Sequence, residues 1–395
     1  MKILFLSRWF PYPSNNGSKL RILSLLKGLS KCHDVTLLSF IDPSDERPED
    51  SVLQEICSEC YTIPWRDYNP DSQRARLGLL SSKPRFILDT YSSQMENEIS
   101  RLISKNKYDL VIASQLTMAS YQAAFGKAKA IFEEIELAGF FEHAYSEKDL
   151  RKRGRNWLTW LKLKTYLADL LKSFTVCTMV SEKEKKLFID TFPEHRAKAM
   201  VFPNCIDLAE YQIPDHERKQ HQLIFSGSFR YSANYQAMLW FLEKVYPLIL
   251  EHVSDTRLVI TGDHANLPLP MAKNINLTGY VKDIKSLIAS SDASIVPIWS
   301  GGGTRLKILE AMALGTPVVS TSKGAEGLLA ANGRSILVAD EPERFASGVT
   351  RILLDKQFGR QLASNGLQLV KEQYDWAQMM PRFLQMIEKA TVGPS

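Results

Sequence analysis

Short apolar runs alternate with longer segments of three- and four-residue periodicity from the first residue of this chain onward, and after a polar break the alternation starts again. A run of a few apolar residues bounded by turn residues reads as a strand buried on both faces, and the periodic segment between two such runs is the crossover helix that parallel strands require. The pattern predicts an α/β chain built from two Rossmann-like, doubly wound sheets. In the first half the expected strands are Lys2–Ser7, Val35–Phe40, Leu110–Ser114, Ala130–Glu134 and Phe174–Val180, with helices at Ser18–Ser30, Ser92–Lys105 and Lys183–Thr191. The break falls at Pro203-Asn204 and the polar stretch 214–222. Beyond it the expected strands are Leu223–Ser226, Arg257–Thr261, Ile275–Thr278, Ala293–Pro297, Pro317–Ser320 and Ile336–Val338, with helices at Tyr235–Glu251, Lys282–Ala289 and Arg305–Leu314.

A chain of 395 residues, 45% hydrophobic, suits two such domains. Their expected limits are 1–200 and 205–370, with 371–395 as a closing helix whose Trp376, Met380, Phe383 and Ile387 form one apolar core stripe. A net charge of +5 is too small for a dedicated nucleic-acid binder, so no nucleic-acid partner is expected. Five cysteines, an odd number, argue for a reducing compartment, and Cys57 and Cys60 read as ordinary thiols rather than metal ligands. No apolar run approaches the ~18 residues of a membrane span, and Met1–Ser7 reads as a strand rather than a signal peptide. The expected location is the cytoplasm, with the inner membrane face open.

The segment Ser300-Gly301-Gly302-Gly303-Thr304-Arg305-Leu306-Lys307 follows an expected strand and opens a helix. Glycines let a backbone approach a ligand closely, while a helix N-terminus offers free N–H groups and a positive dipole end to an anion such as a diphosphate. Arg305 and Lys307 add two cations there. Glu310 lies farther along the same, nearly apolar helix and projects back toward its start, where a carboxylate can accept two ribose hydroxyls.

These residues carry a resemblance. Glu310-Ala311-Met312-Ala313-Leu314-Gly315-Thr316-Pro317-Val318-Val319 resembles the donor-binding signature of the retaining glycosyltransferases of the GT-B fold, family 4 (glycosyl transferases group 1), whose two domains face a central cleft. The family pattern has a second Glu eight residues earlier, and this sequence has Gly302 there. Other segments resemble the family in the same order. Phe10–Arg21, with Gly17, Ser18 and Arg21, looks like the loop facing donor phosphates and acceptor; Val201–Asp207, with Asn204, looks like the entrance to the second domain. Gly227-Ser228-Phe229-Arg230 looks like the glycine turn near the diphosphate, and Gly279-Tyr280-Val281 like the segment reading the base. The family usually has an Arg and a Lys after that turn. Here Arg230 is the only cation, which assigns the diphosphate to Arg305 and Lys307. The resemblance implies a nucleotide-diphosphate sugar as co-substrate, UDP or GDP, held by these residues and by Gly301, Gly302, Gly303 and Thr304. It further implies a glycan or lipid-linked acceptor, polysaccharide assembly, retention of configuration, and neither metal nor other cofactor. The missing Glu leaves a non-hydrolysing sugar-nucleotide epimerase and a catalytically silent nucleotide-sugar binder as alternatives.

No glycine fingerprint for a dinucleotide follows any expected strand, which argues against hydride chemistry. Glu134 and Glu136 end an expected strand, where acceptor groups of an open α/β sheet sit, though a capping or solvent role is equally open. His143 reads as a surface histidine. Between Arg151 and Lys164 six cations interleave with Trp157 and Trp160 without an acid. Residues 151–171 therefore suit either an anionic membrane surface or an ordinary helix packing Leu161, Leu167, Ala168 and Leu171 on the core.

Overall fold

The computed structural model describes residues 1–14, 16–42, 51–147, 149–212, 218–270, 272–301 and 305–392. The chain forms two compact units, one of Met1–Asn204 with Met380–Ser395 and one of Cys205–Met379. In the first unit, β1 (Lys2–Ser7), β2 (Asp34–Ile41), β3 (Glu59–Pro64), β4 (Leu110–Ser114), β5 (Lys129–Glu133), β6 (Val176–Met179) and β7 (Ala199–Val201) make a parallel sheet in the order β3-β2-β1-β4-β5-β6-β7. Strands 1 and 4 carry Ile3, Leu4, Phe5 and Leu6, and Leu110, Val111, Ile112 and Ala113, all at zero exposure, because helices cover both faces of the sheet.

The second unit repeats the plan with β8 (Lys219–Ser226), β9 (Arg257–Thr261), β10 (Ile275–Gly279), β11 (Ser291–Val296), β12 (Val318–Ser320) and β13 (Leu337–Val338), in the order β10-β9-β8-β11-β12-β13. All pairings are again parallel. In both sheets the order turns back on itself beside the first strand, between β1 and β4 and between β8 and β11. Such switch points open a crevice outside the strands' carboxyl ends, where open α/β sheets bind ligands.

Three departures from the sequence expectation bear on the fold. Strands β3 and β7 were not among the expected strands. They form the two edges of the sheet, and each buries only one residue, so neither has the continuous apolar run that marks a central strand. The expected helix Tyr235–Glu251 is instead Ser232–Trp240, a π-helical turn Phe241–Val245 and a second helix Tyr246–His252. Pro247, near the start of that second helix, has no N–H to continue the ladder, and the wider turn absorbs the loss. The third concerns Leu161, described below.

The last helix, Trp376–Val392, contains Pro381 and joins the first unit from Met380 onward. Phe383 and Ile387 are fully buried, and the Phe383 ring lies 4.7 Å from that of Phe202. A β-carbon on Gly28 would stand 2.2 Å from Met380 Cε, so any larger residue there requires the Met380 side chain to shift. No helix among the described residues is long and apolar enough to cross a membrane.

Candidate active site

Glycines close three neighbouring strand ends of the second sheet: Gly227 after β8, Gly262 after β9 and Gly279 ending β10. They are packed backbone to backbone. Gly262 N–H donates to Gly279 O at 2.8 Å, and a β-carbon on Gly262 would lie 2.8 Å from Gly227 C. A β-carbon on Gly227 would meet Asn234 Nδ2 at 2.7 Å and Lys307 Nζ at 2.8 Å. The turn after β8 therefore has room only for backbone, and it has an ammonium against it.

That ammonium comes from the helix Leu306–Ala313. Lys307 Nζ donates to Asn234 Oδ1 at 3.0 Å and lies 4.5 Å from the centre of the Phe225 ring. Burial pushes Lys307 down to about 7, the Arg305 charge pushes the same way, and Glu310 opposes both. Arg305 precedes the helix and donates from Nη2 to Ser300 O at 3.0 Å and Gly301 O at 2.7 Å, while its Nε is buried with no partner. A buried donor left unpaired costs about 1–3 kcal/mol, and an anion at the helix start would relieve it. Gly301 has φ of +93°, and a β-carbon there would fall 1.9 Å from Tyr231 Oη, so backbone conformation and space both demand glycine.

Glu310 accepts from Tyr211 Oη at 3.0 Å. Burial raises its carboxyl pKa; the Tyr211 hydrogen bond, Lys307 and Lys285 work against that rise. Lys285 in turn donates to Glu210 O at 2.7 Å and lies over the Tyr211 ring.

The second unit thus gathers Gly227, Ser228, Gly301, Arg305, Lys307 and, deeper, Glu310 around the ends of β8 and β11. Gly302, Gly303 and Thr304 lie outside the described residues. Arg230 is mostly exposed and donates to the Asp263 carboxylate. Tyr280 is 88% exposed, and Val281 half-buried; their turn reaches the cluster through Gly279 and Gly262.

In the first unit Gly17 and Ser18 open the helix Gly17–Leu29 next to the switch point. Ser18 Oγ is 3.5 Å from Gln115 Nε2, which donates to Glu134 Oε2 at 2.8 Å. Gln115 and Glu134 follow β4 and β5 directly, and both hold left-handed backbone, with φ of +66° and +61°. Side chains in that region cost of order 1 kcal/mol each and cluster at functional sites. Burial drives the Glu134 carboxyl up to about 8, with Glu133 and Glu136 adding to the rise while Arg21 and the Gln115 hydrogen bond restrain it. Glu136 is exposed.

Arg21 does not present its guanidinium to solvent. It is 2% exposed, donates from Nε to Glu133 at 2.6 Å, from Nη1 to Pro203 O and Asn204 Oδ1 at 2.9 Å, and from Nη2 to Phe202 O at 3.0 Å. Arg21 and Asn204 thus serve each other, fixing the end of the first unit. The expectation that Arg21 faces an acceptor is corrected by the buried Glu133, which captures it from a distant strand. Gln115, Tyr211, Asn234 and Gly262 escaped the sequence reading. Only Gly262, a glycine directly after a strand, carried a local signal.

Residues 15–210 match the family described as Glycosyltransferase Family 4, and residues 220–355 match Glycosyl transferases group 1. An uncharacterized 44.6 kDa protein in the cps region of Klebsiella pneumoniae is 23% identical over 95% of this chain and 96% of its own length. The uncharacterized glycosyltransferase MJ1607 of Methanocaldococcus jannaschii is 30% identical over 53% of this chain and 59% of its own. Among solved structures, Anabaena Alr3699/HepE in complex with UDP aligns with a TM-score of 0.66 over 98% of this chain and all of that one, at 14% identity.

Proposed function

We propose that the chain is a glycosyltransferase of the GT-B fold that uses a nucleotide sugar, and that it is a retaining, metal-independent member of family 4. In this reading Cys205–Met379 binds the donor, a UDP- or GDP-sugar, and Met1–Asn204 binds a glycan or lipid-linked acceptor. The relative in the cps region supports polysaccharide assembly as the setting. A cytoplasmic enzyme meeting a lipid-linked acceptor would work at the inner face of the membrane, with residues 151–171 toward it.

The observation that carries this reading is the convergence of Gly227, Gly301, Lys307 and the unpartnered Arg305 Nε on one helix start. As the sugar–phosphate bond breaks toward an oxocarbenium-like state, negative charge accumulates on the departing diphosphate. Arg305, Lys307 and the helix dipole are held in advance where that charge develops, so they favour the transition state over the ground state. Glu310 accepts the ribose hydroxyls, and the acceptor hydroxyl bonds to the anomeric carbon on the face the diphosphate leaves, passing its proton to the departing phosphate oxygen. Glu134, largely protonated at neutral pH, and Gln115 hydrogen-bond acceptor hydroxyls.

Incubating the protein with UDP-, GDP-, ADP- and dTDP-sugars and membrane extract, and scoring free nucleoside diphosphate, tests this. Release from one donor, abolished by Arg305→Ala and Glu310→Ala and unchanged by EDTA, is the expected result. Donor binding without release would leave a silent binder, and sugar isomerisation without release would establish an epimerase.

A further inference from the structure

The helix Leu150–Leu170 carries two apolar stripes where a surface helix needs one. Trp160, Leu163, Leu167 and Leu170 are buried in the core of the first unit. Leu150, Trp157, Leu158 and Leu161, spaced i, i+7, i+8 and i+11, form a second stripe that stays exposed, with Leu150 at 79%. Leu161 therefore does not pack on the core as expected; Leu163 takes that place. At about 100° per residue, Arg153 and Lys164 flank the outward stripe on one side, and Arg151, Arg155 and Lys162 on the other.

A second element extends this face. Lys162 Nζ donates to Leu79 O at 2.8 Å and Gly78 O at 3.3 Å, tying the helix to a turn that displays Leu77, Leu79 and Leu80 at 71%, 56% and 92% exposure. Arg76 and Lys83 border it. Phe141 and Tyr145 are exposed on the preceding helix Ala138–Ser146, where the Phe141 ring lies 5.7 Å from that of the buried Trp160.

We propose that the outward stripe of the Leu150–Leu170 helix and the Leu77–Leu80 turn together dock on an anionic lipid surface. A row of leucines and a tryptophan between rows of arginine and lysine matches the two layers of such a surface, acyl chains beneath anionic headgroups. A protein partner with one hydrophobic patch would not require cations on both margins. The proposal rests on the membrane setting given above for the acceptor, but not on the transfer chemistry.

The test is sedimentation of the full chain with vesicles of phosphatidylcholine alone or with phosphatidylglycerol added, without donor or acceptor. Binding only to the anionic vesicles is expected. Arg151→Glu/Arg153→Glu/Arg155→Glu should weaken it on the order of 100-fold, each cation contributing about a fivefold factor before reversal adds repulsion. Leu79→Glu/Leu80→Glu should weaken it at least about tenfold. Lys244→Glu/Lys273→Glu/Lys371→Glu, the same charge change on exposed sites of the second unit, should leave it intact. Circular dichroism and thermal unfolding check that the variants fold. Absence of binding at low salt, or equal loss in the control variant, would overturn the proposal. So would self-association that Leu79→Glu/Leu80→Glu abolishes in a protein that ignores vesicles. Nucleotide release measured separately keeps this outcome apart from the failure of the transferase reading.

Discussion

The two sheets share a winding plan and differ in what they place at their switch points. In the second unit β8, β9 and β10 end at glycines, and Lys307 and Arg305 bring positive charge against the glycine backbone at Gly227 and Gly301. In the first unit the strand ends are Gln115 and Glu134, both in left-handed backbone, with two consecutive buried glutamates and an arginine neutralising one of them. A cationic, backbone-lined edge suits a diphosphate, which wants many N–H donors and positive charge. A neutral, hydrogen-bonding edge suits hydroxyls, which both donate and accept. In the proposed function, the same scaffold would divide one reaction into anion handling and hydroxyl handling.

The division is broken most severely by removing the cations. Arg305→Ala and Lys307→Ala should each lower turnover about 10²–10³-fold, the range for losing one preorganised charge at a developing anion. A change in KM with kcat intact would mean that the residue binds the ground state only. Next in size is a proton linkage. Lys307, pushed down to about 7 in the free protein, must carry its charge beside a diphosphate, so donor binding takes up protons above that pH. Affinity should fall toward tenfold per pH unit as pH rises beyond 7. Calorimetry in buffers of different ionisation enthalpy would detect the uptake, and Lys307→Met should abolish it.

The first unit's edge has a pH signature in stability rather than in binding. A folded carboxyl held up to about 8 keeps its proton where the unfolded one, near 4.5, has lost it, so Glu134 subtracts stability as pH rises through that window. Glu134→Gln should therefore raise Tm at pH 8 relative to pH 5, by on the order of 10 °C, and should raise KM for the acceptor rather than the donor. The smallest effect expected is that of Tyr211→Phe. Removing one hydroxyl from Glu310 should weaken donor binding about fivefold, in a titration of the bare nucleoside diphosphate.

Both sheets were legible because their central strands are buried on two faces and leave unbroken apolar runs. Edge strands β3 and β7 were not, since all but one side chain of each is at least partly exposed. The loop and helix at 300–313 stood out because glycine, cations and a lone carboxylate are adjacent in sequence. Tyr211, Asn234 and Gln115 reach their partners from other elements, so nothing near them in the chain marks them. Arg21 shows the same limit from the other side. Its local sequence fits a loop facing ligand, and only the fold reveals Glu133 waiting beneath it. The outward stripe of Leu150–Leu170 was ambiguous for a related reason: two apolar stripes on one helix look alike until one of them is packed.

The final helix enters the first unit only from Met380 onward, lying on Gly28 and Phe202. During synthesis, the residues that cover those positions leave the ribosome after the whole second unit has been made. The first unit must wait with an apolar groove open to solvent, and a nascent chain halted anywhere before Met380 keeps that groove uncovered. Quality control by chaperones would accordingly favour completed chains, and a circular permutant that places 380–392 ahead of Met1 should let the first unit mature alone.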